Sequence, residues 1–194
     1  MKKIIIGISG ASGVIYGIRL LEVLRDLDGV ETHLVMSSAA ATTIGLETDQ
    51  TPEQIKHLAD VVYRFRDIAA AIASGSFKTH GMIVAPCSMK TLAGIANSFS
   101  DNLLLRAADV VLKDRRRLIL VARETPLHLG HLRLMTQVTE LGAIVTPPMP
   151  AFYHKPQTID DIVNQTVNRV LDLADIELPQ DLFQRWQGGK DNLD

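Results

Sequence analysis

The stretch IIIGISGASGVIYG, residues Ile4 to Gly17, decides the fold. An apolar run enters a cluster of glycines and serines and leaves it in a helical pattern. The run from Lys3 to Ser9 is short, rich in isoleucine and bounded by glycine, which predicts a buried strand. Beyond the glycines, Val14, Ile18, Leu21 and Leu24 fall on one stripe, with Arg19, Glu22 and Arg25 off it. That spacing predicts a helix from Val14 to Asp26. Val30 to Ser37, VETHLVMS, reads as a second strand. Strand, glycine turn, helix and strand make a βαβ unit, whose crossover should be right-handed.

The same rhythm continues outward. SAAATTIGLET is helical, and TPEQIKHLADVVYRFRD starts as a helix and passes into a short strand. Gly81 to Ser88 is a strand, Thr91–Asn97 and Asn102–Asp114 are helices, and Arg117 to Pro126 is a buried strand running into a loop. His128–Leu141 is helical, Ala143–Thr146 is a strand, and TPPMPAFYHKPQ is a stiff proline-rich loop. Thr158 and Asp161 are spaced for a capping box at the head of a last helix, Thr158–Ala174. Alternating helices and continuously apolar strands predict an α/β fold. It should be a single-domain, Rossmann-like, three-layer structure around a mostly parallel sheet. The expected division is a domain at residues 1–178 and a C-terminal tail at 179–194, partly docked over the site.

Composition sets limits on function. With 194 residues the chain suits one domain with a substantial core. A net charge of −2 gives no global attraction to nucleic acid or to an anionic membrane. No apolar stretch is long enough to span a bilayer. The short apolar start does not read as a signal peptide. The single cysteine, Cys87, leaves no internal disulfide, so the cytoplasm is the expected location.

In parallel α/β sheets, ligands sit beyond the carboxyl ends of the strands. Gly7, Gly10 and Gly13 are spaced GxxGxxG, which is neither a dinucleotide fingerprint nor a Walker loop. The physics is shared: small residues let backbone approach a ligand, and N–H groups at a helix start attract an anion. Ser9 and Ser12 add hydroxyls. The same pattern also fits a tight turn with serine caps. PCSMKTL, Pro86 to Leu92, offers Ser88, Lys90 and Thr91 at another helix start, and Ser88 equally suits a helix cap.

Arg106 and Lys113 are seven apart on a helix, so about 20° apart around it. With Asp109 on the same stripe, a solvated ion-pair ladder accounts for them as well as an anion site does. Arg123 and Glu124 end an apolar strand, where a guanidinium can clamp phosphate and a carboxylate can move protons. Cys87 reads as a small core residue rather than a nucleophile. His128 and His131 stand three apart on a helix, without an evident further metal ligand.

Taken together, GISGASGVIYG, LETD, PCSMKTLAGIA, RAADVVLKDRR, RETPLHLGHLRLM, PPMPAFYHKPQ and DLFQRWQG resemble the bacterial flavin prenyltransferases, the UbiX-type flavoproteins. The resemblance spans nearly the whole chain in one order. It implies transfer of a dimethylallyl group from dimethylallyl monophosphate to N5 and then C6 of reduced FMN, without a metal. The product, prenylated FMN, would serve a partner decarboxylase, notably in ubiquinone biosynthesis. It also implies a homo-oligomer, usually a dodecamer, with sites at subunit interfaces.

Carried over by motif, the resemblance places Gly10, Ala11, Ser12, Ser37, Ser88, Met89, Lys90, Thr91 and Arg123 around FMN. It assigns the prenyl phosphate to Tyr153 and Arg169, with Arg106 and Lys113 as further members of that anion site. Ser12, Glu47 and Glu124 become the proton-handling groups, with Lys113 also counted among the catalytic residues. Trp186 falls on a tail motif that can cover the pocket. Each has a plainer role open to it: Glu47 could pair with a surface lysine, Tyr153 could anchor a loop, Arg169 could pair with Gln165 or Asp172, and Trp186 could cover apolar surface. Two rival functions share the fold. One is an FMN-dependent decarboxylase of the same superfamily, and the other a flavin carrier without catalysis, which would have no use for Glu47, Glu124 or a second anion site.

Overall fold

The computed structural model describes residues 1–188. Residues 189–194 of the expected tail lie outside the described residues. Six strands form one sheet: β1 (Lys2–Ile8), β2 (Val30–Met36), β3 (Val61–Tyr63), β4 (Gly81–Cys87), β5 (Arg117–Ala122) and β6 (Ile144–Val145). Their order is β3-β2-β1-β4-β5-β6. Every pairing is parallel, so the sheet is more uniform than "mostly parallel". The helices are α1 (Val14–Arg25), α2 (Ser38–Glu47), α3 (Pro52–Lys56), α4 (Met89–Ala96), α5 (Leu103–Lys113), α6 (Leu129–Glu140) and α7 (Ile159–Leu173).

The three layers follow from the period of two in the strands. Ile4, Ile6 and Ile8 of β1 face α1 and α7, packing with Ile18, Leu21, Val167 and Leu171. Ile5 points the other way, into a second core with Leu92 of α4, Leu104 and Val111 of α5, and Val138 of α6. Strands β4 and β5 divide likewise: Ile83, Ile119 and Val121 join the first core, and Met82, Val84, Leu118 and Leu120 the second. Both faces of the sheet are covered, which is why its strands read as unbroken apolar runs.

Expected boundaries hold to within a few residues. Helix α4 begins at Met89, two residues before the expected Thr91, because Ser88 caps it by accepting from the Thr91 N–H. The capping box of Thr158 and Asp161 forms at α7, and a second, Thr51 with Gln54, opens α3. No helix among the described residues is long and apolar enough to cross a membrane.

Candidate active site

Strand order reverses between β1 and β4, and the loops leaving those two strands open a crevice at the carboxyl edge of the sheet. Ser9 stitches the crevice floor. It is buried, its Oγ donates to the Pro86 carbonyl at 2.8 Å, and it accepts from the Ser88 N–H at 2.8 Å. Its hydroxyl is therefore spent inside the protein, contrary to its expected place among ligand donors.

The glycine loop then turns sharply. Gly13 adopts φ 96°, a left-handed conformation that glycine takes without steric cost. At Gly10 a Cβ would lie 2.3 Å from the Ala39 Cβ, so α2 begins directly against the loop. These close approaches gather three helix starts. Ser37 caps α2, Ser88 caps α4 and Asn102 caps α5, each accepting a backbone N–H of its own first turn. Together with Gly10, Ser38, Lys90, Thr91 and Phe65 they line a cleft of about 220 Å³. Three positive helix ends and an exposed lysine form a fitting cradle for a phosphate monoester.

Across the loop lies a second cleft, about 590 Å³, lined by Ser12, Gly13, Tyr16, Arg123, Glu124, Thr125 and the Pro147–Pro148 turn among others. Gly10 faces one cleft and Ser12 the other, so the loop from Gly10 to Ser12 bridges them. Glu47, the last residue of α2, reaches back to the start of α1. Its Oε2 accepts from the N–H groups of Gly13 at 2.8 Å and Val14 at 3.2 Å. Helix α1 has no side-chain cap of its own, and Glu47 supplies one from another helix. Partial burial pulls this carboxyl upward, but the Ser12 hydroxyl, the two N–H groups and the Arg123 charge together hold it below its ordinary value. Glu47 is thus an ionised acceptor at the start of α1. Burial raises the neighbouring Tyr16 phenol against the opposing pull of Arg123, so Tyr16 stays a neutral donor.

Other expected residues fall elsewhere. Met89 packs in the second core with Leu92, so its side chain supports the start of α4 from beneath. Cys87 is fully buried, and burial raises its thiol far above the ordinary value, which suits a core residue. Glu124 lies exposed beside Arg123, its Oε1 accepting from the Thr125 N–H. Arg106 pairs with Asp109 at 2.9 Å and donates to the Ala73 carbonyl, and Lys113 pairs with Asp114 at 3.5 Å. Tyr153 and Arg169 line a third cleft, about 630 Å³, with Phe183, Arg185 and Trp186.

The four residues expected around the prenyl phosphate therefore form two groups in one chain. Arg169 lies on α7, which packs on the first face of the sheet, and Arg106 and Lys113 lie on α5, on the second. Lys113 also sits at the amino edge, four residues before β5 begins at Arg117. Spacing within α5 was readable from sequence, but which face of the sheet α5 covers was not. Tyr16, Phe65 and Asn102 were missed as lining residues. Asn102 carried a signal, an asparagine before the apolar run LLL. Phe65 carried none, since only the placement of β3 beside β2 brings it to the cleft.

The family model for flavoproteins matches residues 1–171. The flavin prenyltransferase UbiX of Escherichia coli K12 is 65% identical over 188 residues, 97% of this chain and 100% of that protein. A crystal structure of AnUbiX (PadA1) in complex with FMN and dimethylallyl pyrophosphate superposes with a TM-score of 0.92 at 52% identity, covering 97% of this chain and 99% of that one. A dodecameric FMN-dependent UbiX-like decarboxylase from Escherichia coli O157:H7 superposes equally well, at 0.92 and 53% identity over 96% of this chain and 100% of that one. The chain belongs to the flavoprotein family, in its UbiX-type flavin prenyltransferase branch.

Proposed function

We propose that this protein transfers a dimethylallyl group from dimethylallyl monophosphate to N5 and C6 of reduced FMN. The observation that carries this is 65% identity to a flavin prenyltransferase along its whole length. The geometry supports it. The α2, α4 and α5 starts with Lys90 would hold the FMN phosphate, and the cleft of Ser12, Tyr16, Arg123 and Glu124 has room for a ring system beside it. Reduced FMN supplies the nucleophilic nitrogen and ring carbon.

The chain's residues supply charge and proton acceptors. Breaking the C–O bond of the donor places negative charge on phosphate. Arg169, Arg106, Lys113 and the Tyr153 hydroxyl would stabilise that charge more as it grows. Because one chain divides this set between two faces of the sheet, we place the complete site between chains of a homo-oligomer, as the dodecameric relative suggests. Bonding at N5 displaces a proton as phosphate leaves, and bonding at C6 uses the prenyl double bond, which takes up a proton while C6 gives one up. Glu47, held ionised at the start of α1 next to the Ser12 cleft, is positioned to accept a proton, and Glu124 lines that cleft. Pro147, Pro148 and Met149 wall that cleft and, with substrates bound, would help keep out water that quenches an allylic cation. We further propose that a decarboxylase takes up the product, and that the protein works in the cytoplasm.

The test is anaerobic incubation of the purified protein with reduced FMN and dimethylallyl monophosphate, followed by mass spectrometry of the extracted flavin. A flavin heavier by one prenyl unit is expected. Unmodified flavin from protein that binds FMN would overturn the transferase. Turnover of a phenolic acid by the protein alone would then favour direct decarboxylation, the activity for which the dodecameric relative is named.

A further inference from the structure

A buried asparagine in the middle of α7 needs an explanation. Asn168 is 1% exposed, and a polar side chain at such a position is costly unless its hydrogen bonds are met. Besides a long contact from its Nδ2 to Asp172 on α7 at 3.5 Å, its partners lie in the tail. Its Oδ1 accepts from the Leu182 N–H at 2.7 Å and its Nδ2 donates to Asp181 at 3.3 Å. Leu178 and Leu182 pack beside it against the first core.

Arg185 completes the attachment. Its guanidinium makes four hydrogen bonds, two to Asp172 of α7 at 2.8 Å and two to Asp181 of the tail at 2.6 Å. Such a planar fork fixes both carboxylates in orientation as well as distance. Asp172 also accepts from Arg169 at 2.8 Å. Asp181, Arg185, Asp172 and Arg169 thus form one chain of alternating charge. Beyond it, Phe183 and Trp186 stand edge-on to Tyr153, with ring centres 6.4 and 5.9 Å away. These are the walls of the third cleft.

We propose that Asn168, Asp172, Asp181 and Arg185 are positioning residues: they latch the tail to α7 and so set Trp186 and Arg169 around the donor phosphate. The last clause rests on the transferase function proposed above. None of the four need touch the reacting atoms. They hold two residues that would, and they fix the cleft before the donor arrives, which lowers the ordering cost of binding it.

Trp186 is the protein's only tryptophan, so its fluorescence reports the tail alone. The experiment compares full-length wild type with Arg185→Leu and Asp181→Asn, both at exposed sites where folding should survive. Trp186 anisotropy should fall in both variants. KM for dimethylallyl monophosphate should rise about tenfold in Arg185→Leu, with less change in kcat, because positioning and not chemistry is lost. FMN affinity should stay within about twofold, since its phosphate cradle lies at the α2, α4 and α5 starts. Unchanged anisotropy in both variants overturns the latch, and so does lower anisotropy with an unaltered donor KM. Anisotropy needs no turnover. A wild-type protein that transfers nothing therefore overturns the transferase, and the attachment of the tail is still decided by Trp186.

Discussion

The crevice between β1 and β4 and the cleft of Tyr153 and Arg169 are built by different means. The first is made of backbone. Its helix starts, its left-handed Gly13 and its buried Ser9 are fixed by the fold of one chain. The second is made of side chains. Its charges are half-exposed, they are neutralised by one another, and the other cations expected with them lie on the far face of the sheet. A phosphate whose charge stays constant through the reaction suits the first construction. A phosphate that must arrive, gain charge and leave suits the second, in which cations can exchange a carboxylate for the substrate.

The largest expected effect tests whether the second site needs more than one chain. Lys113→Ala and Arg169→Ala should each lower prenyl transfer by about a hundredfold or more, the loss typical of removing one donor to a developing charge. Co-expressed in equal amounts, the two variants should recover about a quarter of wild-type activity if a site draws the two residues from different chains. Recovery of nothing would mean that one chain supplies both.

Glu47→Gln sharpens the comparison from the other side. Gln keeps an oxygen for the Gly13 and Val14 N–H groups but cannot take a proton. Transfer should fall by about a hundredfold, with FMN affinity unchanged within about twofold, because the phosphate cradle does not include Glu47. Full activity would return Glu47 to a purely capping role and leave Glu124 as the carboxylate that takes the proton.

The two regions also differ in how much of them the sequence disclosed. Glycines at the end of an isoleucine run signal a ligand loop through local chemistry, and serines before helices announce their own caps. Both are short-range effects, so β1, α1 and the Ser88 cap were legible, and Ser37, read only as a strand end, follows the same rule. The capping role of Glu47 was not, because its partners stand 33 and 34 residues away and meet it only when α2 lies against the glycine loop. Ser9 had the right chemistry for a ligand but turned inward, where Pro86 and Ser88 claimed it. Arg106 and Lys113 share a helix face as their spacing requires, yet spacing holds no information about which side of the sheet the helix covers. The Asn168–Arg185 attachment gave no signal either, since a tail's docking depends on long-range packing and not on periodicity.

The smallest effect is the response to acid, and both regions share its sign. Glu47 is pushed up by burial but held lower still by Ser12, the Gly13 and Val14 N–H groups and Arg123, and Asp172 and Asp181 are held low chiefly by Arg185. A carboxyl whose folded value lies below its unfolded one contributes stability above the unfolded value and loses it as pH falls through the folded one. Each contribution should thus be intact at neutral pH and fade below about pH 4. Solvent screens these exposed groups, so Glu47→Gln should move Tm by only about 1 °C at neutral pH. The gap from wild type should close as the buffer is taken into acid. The tail should answer separately: Trp186 anisotropy should fall over the same acid range in wild type and in Glu47→Gln alike, because Glu47 takes no part in the tail's ion pairs. If Glu47→Gln moved the acid fall of Trp186 as well, the crevice and the cleft would be one coupled unit and not two.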